Sequence, residues 1–252
     1  TVIGYWSLSA MTSGGDNIAI GRNVGNTLTT TSNTVLIGND AGTAINATGA
    51  NGTVAIGQDA LTALTSGSGN IAVGYNAGSN ITTGTNNLAI GQDSMAGGGA
   101  VITGAGNLGI GYRSLYALQG GGASNVCIGF YSGLALTTGA NNTAIGYQAG
   151  AEHTTGSNNT VIGYNAMNET GGGAAGAENV FVGIDSGGGD WAGASNYNVG
   201  VGSYTLLGAM NGAQFNTGIG QSALRRITTG GYNIGIGYAA GDNITTGGNN
   251  VL

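Results

Sequence analysis

Residues that could do chemistry are few in this chain. One histidine, His153, and one cysteine, Cys127, are the only side chains of their kinds among 252 residues. Nucleophilic catalysis needs a nucleophile, a base and a group that orients the base, and Glu152 neighbours His153 in sequence only. A single cysteine cannot form an intrachain disulfide, and a small buried residue is the favoured interpretation of Cys127 over a reactive thiol. We therefore expect no catalytic site and no enzyme activity.

Metal and cofactor sites are equally poorly supported. Asp40, Asp59, Asp93 and Asp185 share the second position after a repeated glycine, but only the first two lie in adjacent repeats. A protein metal site needs clustered carboxylates, histidines or cysteines. Glycine strings such as residues 231–237 recur in every repeat and open no predicted helix, so they do not form a phosphate-binding loop. We expect no bound metal and no cofactor.

The chain is organised by a short unit, Asn-Thr-Ala-Ile-Gly at residues 142–146, which recurs in fourteen versions that are 17 to 20 residues apart. The glycines that end these versions are Gly4, Gly21, Gly38, Gly57, Gly74, Gly91, Gly111, Gly129, Gly146, Gly163, Gly183, Gly202, Gly220 and Gly237. Self-similarity at such a period indicates stacked repeats. The sequence predicts an all-β fold, a parallel β-roll or β-solenoid of about fourteen rungs. We expect one continuous array over residues 1–252.

The residue directly before each motif glycine is always Ile or Val, and the residue three places before the glycine is aliphatic or Thr. A period of two predicts a short strand with this β-branched face buried. The residue between them is Ala, Gly or Cys in ten copies. Small residues permit close approach of another backbone, so we expect that face to contact identical chains; small filler on an exposed face is the alternative. The predicted inter-chain contacts are Ala19, Ala55, Ala72, Ala89, Cys127 and Ala144.

Two further positions of the repeat carry structural information. Asn precedes most strands, where it fits a tight corner and could form ladders of side chains from rung to rung. Four residues after the motif glycine, seven repeats have Leu or Met and seven have Gly. Alternation of large and small residues allows stacked layers to interdigitate. The remaining variation in length falls in loops such as residues 97–99 and 171–173.

Aromatic side chains often follow the motif glycine. Exposed aromatic residues can contact a glycan or a protein partner, and packing across an interface between chains is the alternative. The candidates for surface recognition are Tyr75, Tyr112, Tyr147, Tyr164 and Tyr238.

Composition excludes several functional classes. The net charge is −6, with four arginines and no lysine, so the basic surface that nucleic acid requires is absent. No apolar run approaches the roughly 20 residues of a membrane span. The 55 glycines come with no proline and no Gly-X-Y period, which excludes collagen. We expect this chain to be a segment of a longer fibrous protein, with targeting and attachment segments elsewhere.

The string Asn-x-β-branched-Ala-Ile-Gly, with a small residue three places later, resembles the head repeats of YadA-like trimeric autotransporter adhesins. It is equally similar to the Asn-Thr-Ala-Ile-Gly-Tyr arrays of bacteriophage tail fibres. The adhesin resemblance implies a left-handed parallel β-roll, assembly of three chains, and a surface that binds host matrix or other cells. The repeat here is longer than the roughly 14 residues usual in the adhesins.

These observations predict a structural and adhesive fibre segment, extracellular, on a cell surface or on a virion. Its expected partners are two identical chains and a surface protein or glycan. The alternative is a ligand-binding solenoid of the ice-binding kind, suggested by Thr-Thr pairs such as those at 82–83 and 137–138.

Overall fold

The computed structural model of the protein describes residues 1–46, 48–168 and 176–252. The chain divides into two compact units, residues 1–125 and residues 126–252, called here unit 1 and unit 2. Each unit is a parallel β-solenoid, which confirms the predicted fold class. The prediction of one uninterrupted array over 1–252 stays a prediction, and the predicted loop at 171–173 lies outside the described residues.

Within the described residues, each unit contains seven very short strands. In unit 1 these are β1 (Val2–Ile3), β2 (Ile18–Ile20), β3 (Val35–Ile37), β4 (Val54–Ile56), β5 (Ile71–Val73), β6 (Leu88–Ile90) and β7 (Leu108–Ile110). In unit 2 they are β8 (Val126–Ile128), β9 (Thr143–Ile145), β10 (Thr160–Ile162), β11 (Val180–Val182), β12 (Val199–Val201), β13 (Thr217–Ile219) and β14 (Ile234–Ile236). Two single-turn 3₁₀ helices, Thr48–Ala50 and Gly97–Gly99, lie in loops of unit 1.

Within a unit, every strand pairs in parallel with the next strand along the chain, without a shift in register. Ala55 lies opposite Ala72, for example, and Ala144 lies opposite Val161. Each repeat therefore completes one turn of the coil, and its backbone hydrogen bonds run mainly to the turns above and below. This explains why variation in repeat length is tolerated: the extra residues leave the strand register unchanged.

The motif glycine ends each strand in a conformation that other residues rarely adopt. Gly146 has φ +137°, and a Cβ atom there would lie 2.3 Å from the carbonyl oxygen of Gly163 in the next turn. Both the backbone angle and the contact between turns therefore require glycine. This requirement makes the repeat recognisable in the sequence.

The two faces of the strands are the reverse of those that the sequence predicted. In β2 to β14 the middle residue of each strand is buried, whereas its neighbours on both sides are half-buried or exposed. The predicted inter-chain residues all belong to this inner column and lie at 0–4% exposure inside their own coil: Ala19, Ala55, Ala72, Ala89, Cys127 and Ala144. None of them can face a neighbouring chain. The expectation that Cys127 lies near identical chains fails for the same reason.

The inner column is small because the coil is narrow there. A Cβ atom on Gly109 would lie 2.8 Å from Oγ of Ser94, and one on Gly200 would lie 2.9 Å from Oγ of Ser186 and from Oγ1 of Thr205. Small residues do permit close approach of another segment, as the sequence suggested. The approaching segment is the corner of the same chain and not a second chain.

That corner carries the alternating Leu, Met and Gly residues, and the structure confirms that they interdigitate. A Cβ atom on Gly78 would lie 2.8 Å from Leu61 of the preceding turn and 3.0 Å from Ile81. Both Leu61 (φ +51°) and Gly78 (φ +60°) adopt left-handed backbone angles, so the segment is a tight corner rather than a second strand. Ile81 belongs to a further buried column, three residues beyond the corner.

The asparagine ladder is also confirmed. In unit 2, Oδ1 of each ladder asparagine accepts hydrogen bonds from the backbone N–H and from Nδ2 of the asparagine in the next turn, as between Asn179 and Asn198 (2.9 and 3.2 Å). Nδ2 of Asn198 also donates to the carbonyl of Ala213 at 2.9 Å. The left-handed corner residue is the one that precedes each asparagine, such as Tyr197 (φ +59°). The ladder therefore satisfies buried polar groups on every turn.

Candidate functional site

The outward side chains of the strands form what we call the strand face, the first and third residues of each strand. In unit 1, the twelve such residues of β2 to β7 are all Ile, Val or Leu. They are half-buried by their neighbours in adjacent turns and yet open to solvent, with Ile18 at 38% and Ile71 at 39% exposure. The column of β-branched residues that the sequence predicted to be buried is thus the outer surface of the coil.

Because parallel strands lie about 4.8 Å apart, seven strands span ~29 Å, and three residues of strand span ~10 Å. The strand face of each unit is therefore a ribbon of on the order of 300 Å². The largest apolar patch of a typical soluble monomer measures about 300–600 Å², and patches of this size are often functional. No charged side chain belongs to the ribbon in either unit.

In unit 2 the ribbon is slightly more polar. Thr143, Thr160 and Thr217 replace aliphatic residues at the first position of their strands, and the other eleven outward positions of β8 to β14 are Ile or Val. Ile162 and Ile219 are 37% and 40% exposed. All fourteen residues are nevertheless β-branched, so their side chains are stiff and add little conformational entropy to be lost on contact.

The predicted recognition tyrosines flank the ribbon, and four of them are exposed: Tyr75, Tyr147, Tyr164 and Tyr238. Tyr112 is half-buried, and the guanidinium carbon of Arg113 lies 5.3 Å from its ring centroid. In unit 2 the rings stack from turn to turn. Tyr147 lies 5.6 Å from Phe130 and 5.2 Å from Tyr164, with planes within 9° of parallel.

A second aromatic ladder was missed by the sequence analysis. Tyr197, Phe215 and Tyr232 precede the ladder asparagines of three consecutive turns and stack at 4.8 and 4.9 Å on the other side of the ribbon. The signal was present, since these residues occupy one repeat position in adjacent copies. In each ladder the middle ring, Tyr147 or Phe215, stacks on another ring on both sides, so it offers mainly its edge to a partner. This favours a role in holding turns together over stacking on a ligand.

The few chemically reactive residues lie inside the coil. Burial raises the pKa of the Cys127 thiol to about 12, opposed in part by hydrogen bonds with Ser132 and the backbone of Ala144, so it stays protonated and unreactive at neutral pH. His153 is 3% exposed, and burial lowers its pKa to about 4, opposed by a hydrogen bond with the backbone of Gly156. Glu152 is exposed. Cys127, His153 and Glu152 therefore do not form a pair of nucleophile and base.

Within residues 1–46, 48–168 and 176–252, no three His, Cys, Asp or Glu side chains are grouped so that they could hold a metal ion. In the same part of the chain, no helix has the length and apolar character needed to cross a membrane. Comparison of the chain with protein-family models, with curated proteins and with solved structures found no match.

Proposed function

We propose that this chain is a structural and adhesive segment of an extracellular fibre, borne on a cell surface or a virion, in which three identical chains associate through their strand faces. The observation that supports the proposal is the uncharged and largely β-branched ribbon on each unit. The number three and the attachment to a surface or host rest on the resemblance to trimeric adhesins and tail fibres. Such a segment spans distance or presents a receptor-binding surface, and needs no catalytic residues.

The strand face suits self-association for two physical reasons. Burying aliphatic area is favourable by roughly 25 cal/mol per Å², and both units repeat the same flat surface on every turn. A ribbon that lacks charge can meet its own copies without repulsion, whereas the exposed loops carry the polar residues. The strand face thus takes the place of the alanine column as the proposed contact between chains, because the structure places the alanine column inside the coil.

The ice-binding alternative is less well supported. Such a surface needs free threonine hydroxyls in a flat array, but the first Thr of several pairs uses its hydroxyl to hold the coil. Oγ1 of Thr82 donates to the carbonyl of Ile102 at 3.3 Å, and Oγ1 of Thr137 donates to that of Thr154 at 3.0 Å. A thermal-hysteresis assay separates the two proposals, since activity there would favour the alternative.

The mass of the assembly in solution tests the proposal. Light scattering of the wild-type chain should give about three times the chain mass of 24.3 kDa. Ile71→Glu, at the middle of the unit 1 ribbon, should give monomers, because identical carboxylates would be brought together and desolvated. Thr83→Glu, an exposed loop residue of the same repeat, is the matched control and should keep the wild-type mass. A monomeric wild-type chain, or an Ile71→Glu variant of unchanged mass, would refute assembly through this face.

A further inference from the structure

Unit 1 contains a polar groove that lies away from the strand face. Its volume is about 350 Å³, and the residues that line it come from four consecutive turns: Thr62, Ala63, Asn76, Ser79, Asn80, Ala96, Gly99 and Tyr116. The lower end of the range for small-molecule sites is about 300 Å³. None of these residues belongs to a strand, so the groove and the ribbon do not compete for the same side chains.

The groove exists because one repeat is longer than its neighbours. Gly97, Gly98 and Gly99 form an inserted 3₁₀ turn with left-handed angles at all three residues, which glycine adopts without strain. The turn projects beside the preceding corners. A Cβ atom on Gly98 would lie 3.6 Å from Cε1 of Tyr116 in the following turn, so the insertion and the tyrosine form one continuous wall.

Several polar atoms of the groove have no partner among the described residues. Asn76 and Asn80 donate through Nδ2, to Oδ1 of Asp93 at 2.8 Å and to the carbonyl of Ala96 respectively, which fixes their amides and leaves each Oδ1 as a free acceptor. The hydroxyls of Ser79 and Tyr116 make no hydrogen bond within the described part of the chain. Oγ1 of Thr62 donates at 3.3 Å to the carbonyl of Ser79 and can still accept.

The groove is electrically neutral. No charged side chain lines it. The nearest charges offset one another, since Nε of Arg113 lies 3.5 Å from Oδ2 of Asp93 and its guanidinium carbon lies 5.0 Å from the ring centroid of Tyr116. An anionic ligand would find no free cation here, and a cation would find only amide and hydroxyl oxygens.

We infer that this groove is a binding site for a short neutral saccharide. The lining combines fixed amide acceptors with hydroxyls that both donate and accept, which matches the hydroxyl groups of a sugar ring. The methyl group of Ala63 and the ring of Tyr116, both half-buried, offer apolar surface to the C–H groups of the same ring. The site goes beyond the proposed fibre function and does not depend on the number of chains that assemble.

An array of neutral hexose and N-acetylhexosamine oligosaccharides, printed beside sialylated ones, tests the inference with the whole chain. The wild-type chain should bind at least one neutral oligosaccharide. Ala63→Trp fills the groove and should raise the Kd for that oligosaccharide by roughly tenfold or more, measured by titration calorimetry. Ala135→Trp is the matched control: Ala135 has the same repeat position in unit 2, and its backbone N–H likewise bonds to the next turn, at 2.8 Å against 3.0 Å for Ala63. It should bind as the wild type does.

Tyr116→Phe and Ser79→Ala remove one hydroxyl each with little change of shape, and each should weaken binding by a few-fold. These two variants provide the test if Ala63→Trp fails to fold. Binding of sialylated oligosaccharides alone, no binding of any neutral oligosaccharide, or equal binding by the Ala63→Trp and Ala135→Trp variants would each overturn the inference. The mass of every variant is measured by light scattering. Loss of sugar binding at unchanged mass therefore separates this site from the strand-face assembly.

Discussion

Unit 1 and unit 2 are built from one repeat and differ in how strictly each position is filled. In unit 2, seven consecutive turns carry a ladder asparagine, from Asn142 to Asn250. In unit 1, Thr34 and Thr53 interrupt the ladder, and Oγ1 of Thr53 instead donates locally to the carbonyl of Ala50 at 2.7 Å. The repeat thus tolerates a short local hydrogen bond in place of a link between turns.

The interiors differ in a second way. Unit 1 has mainly aliphatic columns, and its one large inner-column residue is Leu36. This side chain fits because the corners beside it are Gly25 and Gly42, where a Cβ atom would lie 2.8 and 3.1 Å from the Leu36 side chain. Unit 2 has Phe181 at the same position, packed edge-on against Trp191 with ring centroids 5.8 Å apart. Glycines at 187 and 200 make room for it. A large core residue is therefore accommodated by glycines in the turns that touch it.

Breaking the unit 2 ladder should have the largest effect. Asn198→Ala removes the acceptor for the buried backbone N–H and Nδ2 of Asn216, both at 3.1 Å, and the donor to the carbonyl of Ala213. Each orphaned buried group costs ~1–3 kcal/mol, so we expect a loss of about 3 kcal/mol or more in the free energy of unfolding, measured by urea denaturation.

Thr53→Ala in unit 1 is the comparison, since it removes a single local hydrogen bond. The expected loss is about 1 kcal/mol. Equal losses for the two variants would mean that the several ladder bonds of Asn198 contribute no more than one local hydrogen bond.

The second prediction concerns pH and belongs to unit 2 alone. His153 occupies a column that is aliphatic in unit 1, Nδ1 has no hydrogen bond, and the side chain borders a small enclosed cavity of about 10 Å³. Its pKa falls from 6.5 to about 4 because burial disfavours the charged ring. The unfolded chain therefore binds the proton more tightly. Stability is full above pH 6.5 and decreases as the pH falls to about 4, by about 3 kcal/mol.

Urea denaturation at pH 7 and at pH 4 measures this decrease. His153→Leu should remove about 3 kcal/mol of it, because leucine and isoleucine fill the same column in unit 1 and do not titrate. Cys127 borders the same cavity, but its raised pKa of about 12 keeps it neutral throughout this range. An unchanged pH dependence in the leucine variant would place the acid sensitivity elsewhere.

The smallest expected change in the free energy of unfolding concerns two exposed tyrosines, Tyr147 in unit 2 and Tyr75 in unit 1, which differ in ring stacking. Tyr147→Ser removes two stacked ring contacts in unit 2, each worth ~0.5–1.5 kcal/mol, and should lower the free energy of unfolding by about 1–2 kcal/mol. Tyr75→Ser changes the same repeat position in unit 1, where the tyrosine stacks on no ring of the described residues, and should cost about 0.5 kcal/mol or less. Thermal unfolding followed by circular dichroism gives both values. A larger loss for Tyr75→Ser would contradict a stabilising role for the ladder.

The candidate sites were only partly visible in the sequence. The tyrosines at 75, 147, 164 and 238 are exposed, and their role in recognition stays a prediction. Their stacking depends on which copies are adjacent in the coil. The groove beside Gly97–Gly99 could not be predicted, because it requires side chains from four turns to converge. The strand face was recognised as a β-branched column and was assigned to the wrong side of the strand.

The sequence by itself determined the period, the strand positions, the motif glycine and the asparagine ladder. Each of these follows from local rules: β-branched residues at a period of two, a backbone angle that only glycine readily adopts, and a side chain that repeats its hydrogen bond on every turn. Only the tertiary structure decided which side of the strand is inside. A period of two distinguishes two faces without saying which is buried, and here the narrow coil admits alanine, glycine and cysteine while the bulkier Ile and Val remain on the outer surface.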